Sequence, residues 1–257
     1  MVELEYLLNN ILPSFSNLVS VEHRNIVIYG RAGSGKTTLA NAIVHHILDR
    51  YGGDNVNIVY ALEIGEWYDA IDDRPVQVLI WEDATFGEMT KEEKRQYVRL
   101  RQILRDRGVH RGIVLTIVIC HRLWNVPIIV RNNIDMFCVL SMPFLPFDRS
   151  FLRSYGFSIR RLERLDKEKK TDNLKKGEFY TWIDGEILRT KFIAREFLLD
   201  EYYIEQPTVI EKTATVKVYD YPFPSYPLLI RLLVTCGLFA STVVAILVLA
   251  YIFSSFI

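Results

Sequence analysis

The feature that most constrains this chain is a glycine-rich turn between a short apolar run and a helical pattern. The apolar run covers residues 25–29, and the turn after it reads Gly30, Arg31, Ala32, Gly33, Ser34, Gly35, Lys36, Thr37 and Thr38. A glycine followed after four residues by Gly-Lys-Thr is the spacing of a phosphate-binding loop, or P-loop, between a strand and a helix. Because strand, spacing, Lys-Thr pair and helix all agree, a chance glycine-rich turn is the weaker interpretation. The sequence predicts an α/β fold with a central, mostly parallel sheet flanked by helices.

Each residue type in this loop has a physical reason. The glycines let the backbone turn tightly and leave room for phosphate oxygens against bare N–H groups. The helix that starts near Gly35 directs the positive end of its dipole towards the same phosphates. We expect Lys36 to reach the β- and γ-phosphates and the Thr37 hydroxyl to ligate Mg²⁺. Since the guanine-reading Asn-Lys-x-Asp of GTPases does not occur in the sequence, the predicted ligands are ATP and Mg²⁺, held by residues 30–38.

A second set of chemical groups follows an apolar strand predicted at residues 76–81. Glu82 and Asp83 come directly after this strand. A carboxylate at the end of a buried strand beside the P-loop holds the Mg²⁺ shell, and a second acid acts as general base on the attacking water. The usual order is aspartate and then glutamate, so the sequence leaves open which residue does which. The alternative is an acidic turn without chemistry.

The strand predicted at residues 56–61 lies between the P-loop helix and the acidic strand. An extra strand in this position suggests the additional-strand class of P-loop ATPases.

Two further candidate residues lie beyond the acidic pair. A buried strand predicted at residues 112–120 ends at His121 and Arg122. In that class a polar residue at this strand end senses the γ-phosphate, and His121 is the first candidate, with Arg122 the alternative. Arg131 is a candidate arginine finger that reaches the ATP of a neighbouring subunit.

An amphipathic helix is predicted to begin at Lys91 and end at Arg107. Its apolar face consists of Tyr97, Leu100, Ile103 and Leu104, and its other face carries Lys91, Lys94, Arg95, Arg99, Arg101 and Arg105. Such a basic face suits a nucleic-acid backbone, although a solvated surface is the simpler interpretation. The chain as a whole has 31 basic and 31 acidic residues, so its net charge indicates no class of partner.

The composition changes after residue 150. Residues 160–176 are highly charged, and the stretch around Asp184-Gly185 predicts a β-hairpin. One more strand is predicted at residues 213–219, followed by a tether rich in aromatic residues and proline. We therefore divide the chain into a P-loop ATPase domain at 1–150, a small extension containing β-structure at 151–227, and a transmembrane helix at 228–254.

The predicted transmembrane helix rests on charge and length. From Leu232 to Phe253 about 22 residues carry no charge, which is enough to cross a hydrocarbon core. Aromatic residues flank this stretch on both sides, as at a membrane interface. Arg231 precedes the span and no basic residue follows it, so the positive-inside rule places the N-terminal part in the cytoplasm. We expect a single-pass, tail-anchored protein whose partner is a lipid bilayer. The alternative is a buried core helix.

These features together resemble the zonular occludens toxin-like (Zot-like) assembly ATPases of filamentous phages. The resemblance rests on the P-loop, the acidic pair on the third strand, an arginine shortly after the fourth strand and one late membrane span. The core also resembles the wider HerA/FtsK and AAA+ collection, over about residues 20–142. The Zot-like resemblance implies an inner-membrane ATPase that helps to move single-stranded viral DNA during virion assembly. The chain departs from that pattern in the order of Glu82 and Asp83, and at His121, where Gln, Asn, Ser or Thr is usual.

Two functions are compatible with this pattern. The first is a membrane-anchored ATP-hydrolysing motor for DNA translocation, packaging or virion extrusion. Such motors work as homo-oligomeric rings, because a neighbouring subunit supplies a charge to each ATP site. We expect a hexamer here. The alternative is a membrane scaffold that ATP switches between states, or a structural membrane protein without motor activity.

Overall fold

The computed structural model describes residues 1–61, 65–82, 89–143, 145–172 and 177–199. Asp83, the strand predicted at 213–219, the tether and the span predicted at 228–254 lie outside these residues. Among the helices that the structure describes, none is both long enough and apolar enough to cross a membrane.

A central sheet of eight strands organises the described part of the chain. The strands are β1 (Val2–Glu3), β2 (Val21–Tyr29), β3 (Val56–Ala61), β4 (Val76–Trp81), β5 (Gly112–Cys120), β6 (Met136–Val139), β7 (Glu178–Ile183) and β8 (Glu186–Lys191). Their order across the sheet is β1-β8-β7-β6-β2-β5-β4-β3. The five strands from β6 to β3 are all parallel to one another. The predicted α/β fold with a mostly parallel sheet is confirmed.

Strand order differs from chain order in a way that matters for the site. The P-loop strand β2 pairs along its whole length with β5, and β5 pairs in turn with the acidic strand β4. The strand inserted between β2 and β4 is therefore β5. The strand at 56–61, on which the sequence analysis based the additional-strand class, is β3 at the edge of the sheet. The carboxyl ends of β2, β5 and β4 consequently lie side by side.

Helices cover both faces of the sheet. They are α1 (Leu4–Ile11), α2 (Lys36–Tyr51), α3 (Gly65–Ala70), α4 (Lys91–Asp106), α5 (Ile128–Arg131), α6 (Pro146–Ser154) and α7 (Ile159–Thr171). Since successive strand residues point to opposite faces, Ile26 and Ile28 pack with α1 and α2, whereas Val27 and Tyr29 pack with α3 to α7. The P-loop is therefore held between two apolar layers.

The predicted Asp-Gly hairpin is present as β7 and β8. Asp184 and Gly185 both have positive φ, at 48° and 85°, as a tight two-residue hairpin turn requires. β7 pairs antiparallel with β6, and β1 pairs parallel with β8. The hairpin thus continues the same sheet as the P-loop strand, although the sequence analysis assigned it to an extension after residue 150. It covers the edge that β6 would otherwise expose.

Polar side chains anchor α4 to the sheet. A capping box between Thr90 and Glu93 begins this helix. The Tyr97 hydroxyl donates to the side chain of Asn25, which is only 3% exposed. His23 forms a hydrogen bond of 2.8 Å with the Thr116 hydroxyl, and burial, with a smaller effect of a nearby arginine, lowers its pKa to about 4. The bond of Tyr97 with Asn25 thus holds α4 against β2, and the basic residues of the helix are exposed.

Candidate active site

The loop after β2 forms a cradle that only small residues permit. A Cβ atom at Gly30 would overlap the Ser34 hydroxyl oxygen and lie 3.2 Å from the Leu140 Cβ atom. Gly35 has a φ of 89°, in the left-handed region that favours glycine, immediately before α2 begins. The Ser34 hydroxyl is buried and has no hydrogen-bond partner among the described residues. This cradle and its unsatisfied hydroxyl fit an anionic ligand such as a triphosphate.

Lys36 is the charged group of this cradle. It is 6% exposed, and its Nζ atom donates to the Arg31 carbonyl oxygen at 3.1 Å. The same atom lies 3.1 Å from Nδ1 and 3.3 Å from Nε2 of His121, at the end of β5. Because a lysine ammonium only donates, His121 accepts through an unprotonated ring nitrogen. The structure therefore brings together the P-loop lysine and the first sensor candidate.

The carboxyl end of β4 supplies an acid to the same place. The Thr37 hydroxyl donates to the Oε1 atom of Glu82 at 3.2 Å, and the Glu82 amide continues the pairing with β3 by donating to Ala61. A hydroxyl and a carboxylate oxygen are the hard ligands that Mg²⁺ takes, with waters and phosphates completing its shell. Among the described residues no group of three or more His, Cys, Asp and Glu forms a metal site. The Thr37–Glu82 pair fits a Mg²⁺ ion that arrives with a nucleotide.

Comparison with known proteins agrees with this geometry. Residues 17–118, which include the loop, Thr37 and Glu82, match the nSTAND3 family, described as Novel STAND NTPase 3. The chain contains a P-loop NTPase domain. No protein with a curated description matches the sequence significantly.

Solved structures of two viral proteins are similar to the chain. One is the genome packaging NTPase B204 from Sulfolobus turreted icosahedral virus 2 in complex with AMPPCP, with 15% identity and a TM-score of 0.41. The other is B204, the DNA-packaging ATPase from Sulfolobus turreted icosahedral virus, with 15% identity and a TM-score of 0.42. Each similarity covers 66% of this chain and 98% of the other chain.

A second wall of the NTPase site comes from β6 and α7. The Arg31 amide donates to the Ser141 hydroxyl at 2.8 Å, and the Arg31 Nε atom donates to the Met142 carbonyl at 3.0 Å. The guanidinium also lies 3.8 Å from the Asp166 carboxylate on α7. One turn further, Lys169 donates to the Leu140 carbonyl, and burial lowers the pKa of this lysine to about 8. The P-loop is thus tied to α7, of which the sequence analysis noted only the high charge.

A buried carboxylate lies close to the end of β5, the strand that His121 follows. Asp148 on α6 is 1% exposed and accepts hydrogen bonds from the Leu123 amide at 3.0 Å and the Tyr29 hydroxyl at 3.2 Å. Burial raises the pKa of this carboxyl, and the hydrogen bonds act in the opposite direction. Because Tyr29 ends the P-loop strand and Leu123 follows His121 by two residues, Asp148 holds both strand ends in place.

Replacement of Asp148 with alanine is expected to lower the free energy of unfolding by about 3 kcal/mol, since it leaves two buried donors without an acceptor. Asp148→Asn keeps an acceptor oxygen of the same shape, so a substantial part of that loss should be recovered. Urea unfolding of the two variants and the wild type measures the difference. Equal losses in both variants would contradict the assigned role of the acceptor.

The remaining predicted residues lie apart from this cluster. Arg122, the alternative sensor, is exposed, and its carbonyl accepts a bond from Asn125. The guanidinium of Arg131, the predicted finger, lies 5.8 Å from the ring centres of both Phe147 and Phe151. The finger role of Arg131 stays a prediction. Ser141, Asp148 and Asp166 were missed by sequence reasoning, because only the fold places the segment after β6, α6 and α7 beside the P-loop strand.

Proposed function

We propose that this chain is a membrane-anchored ATPase whose hydrolysis moves nucleic acid during virion assembly or genome packaging. The observation that carries the enzymatic part is the convergence of Lys36, His121 and the Thr37–Glu82 pair at the ends of three adjacent strands. Catalysis of phosphoryl transfer consists mainly of positioning and charge stabilisation, and this cluster supplies both. Thr37 and Glu82 would hold Mg²⁺, which when bound would supply positive charge that offsets the negative charge developing during phosphoryl transfer.

The chain's own residues have distinct roles in this proposal. The loop amides and Lys36 bind the phosphates, and Lys36 then exchanges its contact with His121 for one with phosphate oxygens. His121 contacts the γ-phosphate as the sensor when Lys36 makes this exchange. Glu82, which already bonds with Thr37, supports the ion, so Asp83 is left to accept the proton of the attacking water.

The motor part of the proposal is supported by the charge on α4. Its six basic side chains are exposed, and among the described residues the helix has a single ion pair, between Arg95 and Glu92 at 4.0 Å. Both partners are more than 60% exposed, so this pair offsets little of the charge. Such a surface suits a phosphate backbone. The uncharged stretch from Leu232 to Phe253 supports the membrane anchor, and a ring of subunits is part of the same proposal.

Charge reversal on α4 tests the motor proposal. Phosphate release by the full chain in detergent is expected to rise when DNA is added. In the double variant Lys94→Glu with Arg99→Glu, about tenfold more DNA should be needed for half-maximal stimulation, because two phosphate contacts become repulsive. The matched control reverses two exposed lysines on α7, Lys167→Glu with Lys170→Glu, and should respond like the wild type. Tight ATP binding with slow hydrolysis that ignores DNA would instead support the ATP-switched scaffold.

A further inference from the structure

A solvent-exposed aromatic surface lies close to the end of β5. Trp124 is 66% exposed, Ile128 is 64% exposed and Phe147 is 39% exposed. The rings of Trp124 and Phe147 meet edge to face, with their centres 5.5 Å apart. Of these three, Trp124 and Phe147 contact each other directly, and Ile128 begins α5 four residues after Trp124. We call Arg122, Trp124, Ile128, Arg131 and Phe147 the Trp124 surface.

The net charge of the arginines of the Trp124 surface is positive. Neither Arg122 nor Arg131 has a carboxylate within 4.0 Å among the described residues, whereas Arg24, Arg74 and Arg189 each have at least one. The Asp148 carboxylate interacts electrostatically with Arg122 without forming such an ion pair. Arg131 instead stacks on the aromatic rings of α6. The carboxylate of this region, Asp148, is buried and directed inwards to Tyr29 and the Leu123 amide.

We propose that the Trp124 surface binds single-stranded nucleic acid. An exposed indole beside guanidinium groups offers a base a ring to stack on and offers the adjacent phosphates a positive charge. A duplex keeps its bases stacked on each other, so the surface should prefer single strands. Trp, Phe and Arg are also enriched in protein interfaces. The two guanidinium groups, neither of which forms an ion pair within 4.0 Å among the described residues, favour a polyanion over a second copy of this chain.

The position of Trp124 couples this surface to the nucleotide site. Trp124 lies in the short turn Leu123–Asn125, which directly follows β5 and His121. The amide of Leu123 in the same turn bonds with Asp148, which also holds the end of the P-loop strand through Tyr29. A single-stranded nucleic acid bound at Trp124 therefore contacts the backbone segment that positions His121. This coupling depends on the proposed ATPase function. The binding of single-stranded nucleic acid to the Trp124 surface does not depend on it.

Fluorescence anisotropy tests the proposal with the full chain in detergent, without nucleotide. The probes are a labelled thymidine oligonucleotide and a duplex of the same length. Trp124→Ala is expected to weaken binding of the single strand about tenfold, whereas Trp124→Phe, which keeps a ring, should restore most of it. The matched control is Tyr6→Ala, because Tyr6 is an aromatic residue 62% exposed on α1. Circular dichroism melting confirms that each variant is folded.

Each other outcome has a defined meaning. Equal affinity for the duplex, or unchanged single-strand affinity in Trp124→Ala, overturns the proposal. Loss of self-association in that variant, measured by sedimentation with unchanged DNA affinity, assigns the surface to a second copy instead. Because binding is measured without ATP, a chain that binds strands through Trp124 but does not hydrolyse ATP contradicts only the proposed function. Hydrolysis without binding that depends on Trp124 contradicts only this inference.

Discussion

Replacement of Lys36 with alanine is expected to reduce kcat/KM for ATP hydrolysis at least about a hundredfold. The Lys36 ammonium is 6% exposed and is held at the mouth of the P-loop by the Arg31 carbonyl and His121. A charge in so enclosed a position acts on phosphate oxygens with little screening by water. Its removal therefore takes away both ground-state binding and the stabilisation of charge that develops during phosphoryl transfer.

Two measurements separate these contributions. Calorimetry with Mg·ATP reports the loss of binding, and phosphate release at saturating ATP reports the loss in the transition state. Lys36→Arg keeps the charge but replaces the compact ammonium with a larger, planar guanidinium. The activity of this variant should therefore fall between those of the wild type and Lys36→Ala. Lys170→Ala, on the exposed face of α7, is the matched control. A rate unchanged in Lys36→Ala would mean that this loop is not the hydrolytic site.

Local features of the site were predictable because the residues that form them are consecutive. The P-loop needs glycines, a lysine and a threonine within nine positions, and its conformation follows from those residue types. The hairpin β7–β8 was predictable for the same reason, since Asp184 and Gly185 suit positive φ. In both cases the chemistry of the turn is independent of the rest of the fold.

Features that depend on tertiary packing were not predictable from one sequence. The order of strands is set by packing across the sheet, so no local sequence pattern indicated that β5 would be the strand inserted between β2 and β4. Asp148 looks like any acid in the first turn of a helix, and only the fold shows that it is buried against Tyr29 and Leu123. The fold likewise shows that His121 contacts Lys36 whereas Arg122 is exposed; the sensor role of either residue stays a prediction.

Glu82 and Asp83 are expected to have separable defects when each is replaced by its amide. Glu82 bonds with the Thr37 hydroxyl at 3.2 Å, which places it beside the expected position of the ion. Glu82→Gln keeps an oxygen for that bond but removes its charge, so the Mg²⁺ concentration for half-maximal rate should rise about tenfold or more. Saturating Mg²⁺ should then restore most of the activity.

Asp83→Asn is expected to behave in the opposite way. If Asp83 accepts the proton of the attacking water, its amide should lower kcat about a hundredfold or more and leave the affinities for ATP and Mg²⁺ close to wild type. Titration of Mg²⁺ in a phosphate-release assay, with Glu92→Gln on exposed α4 as control, distinguishes the two cases. Exchange of the two phenotypes would place the water beside Glu82, despite its bond with Thr37. In that case the glutamate would still activate the water and the aspartate would still support Mg²⁺, as in the usual Asp-Glu order. Only the order of the two residues in the sequence would differ.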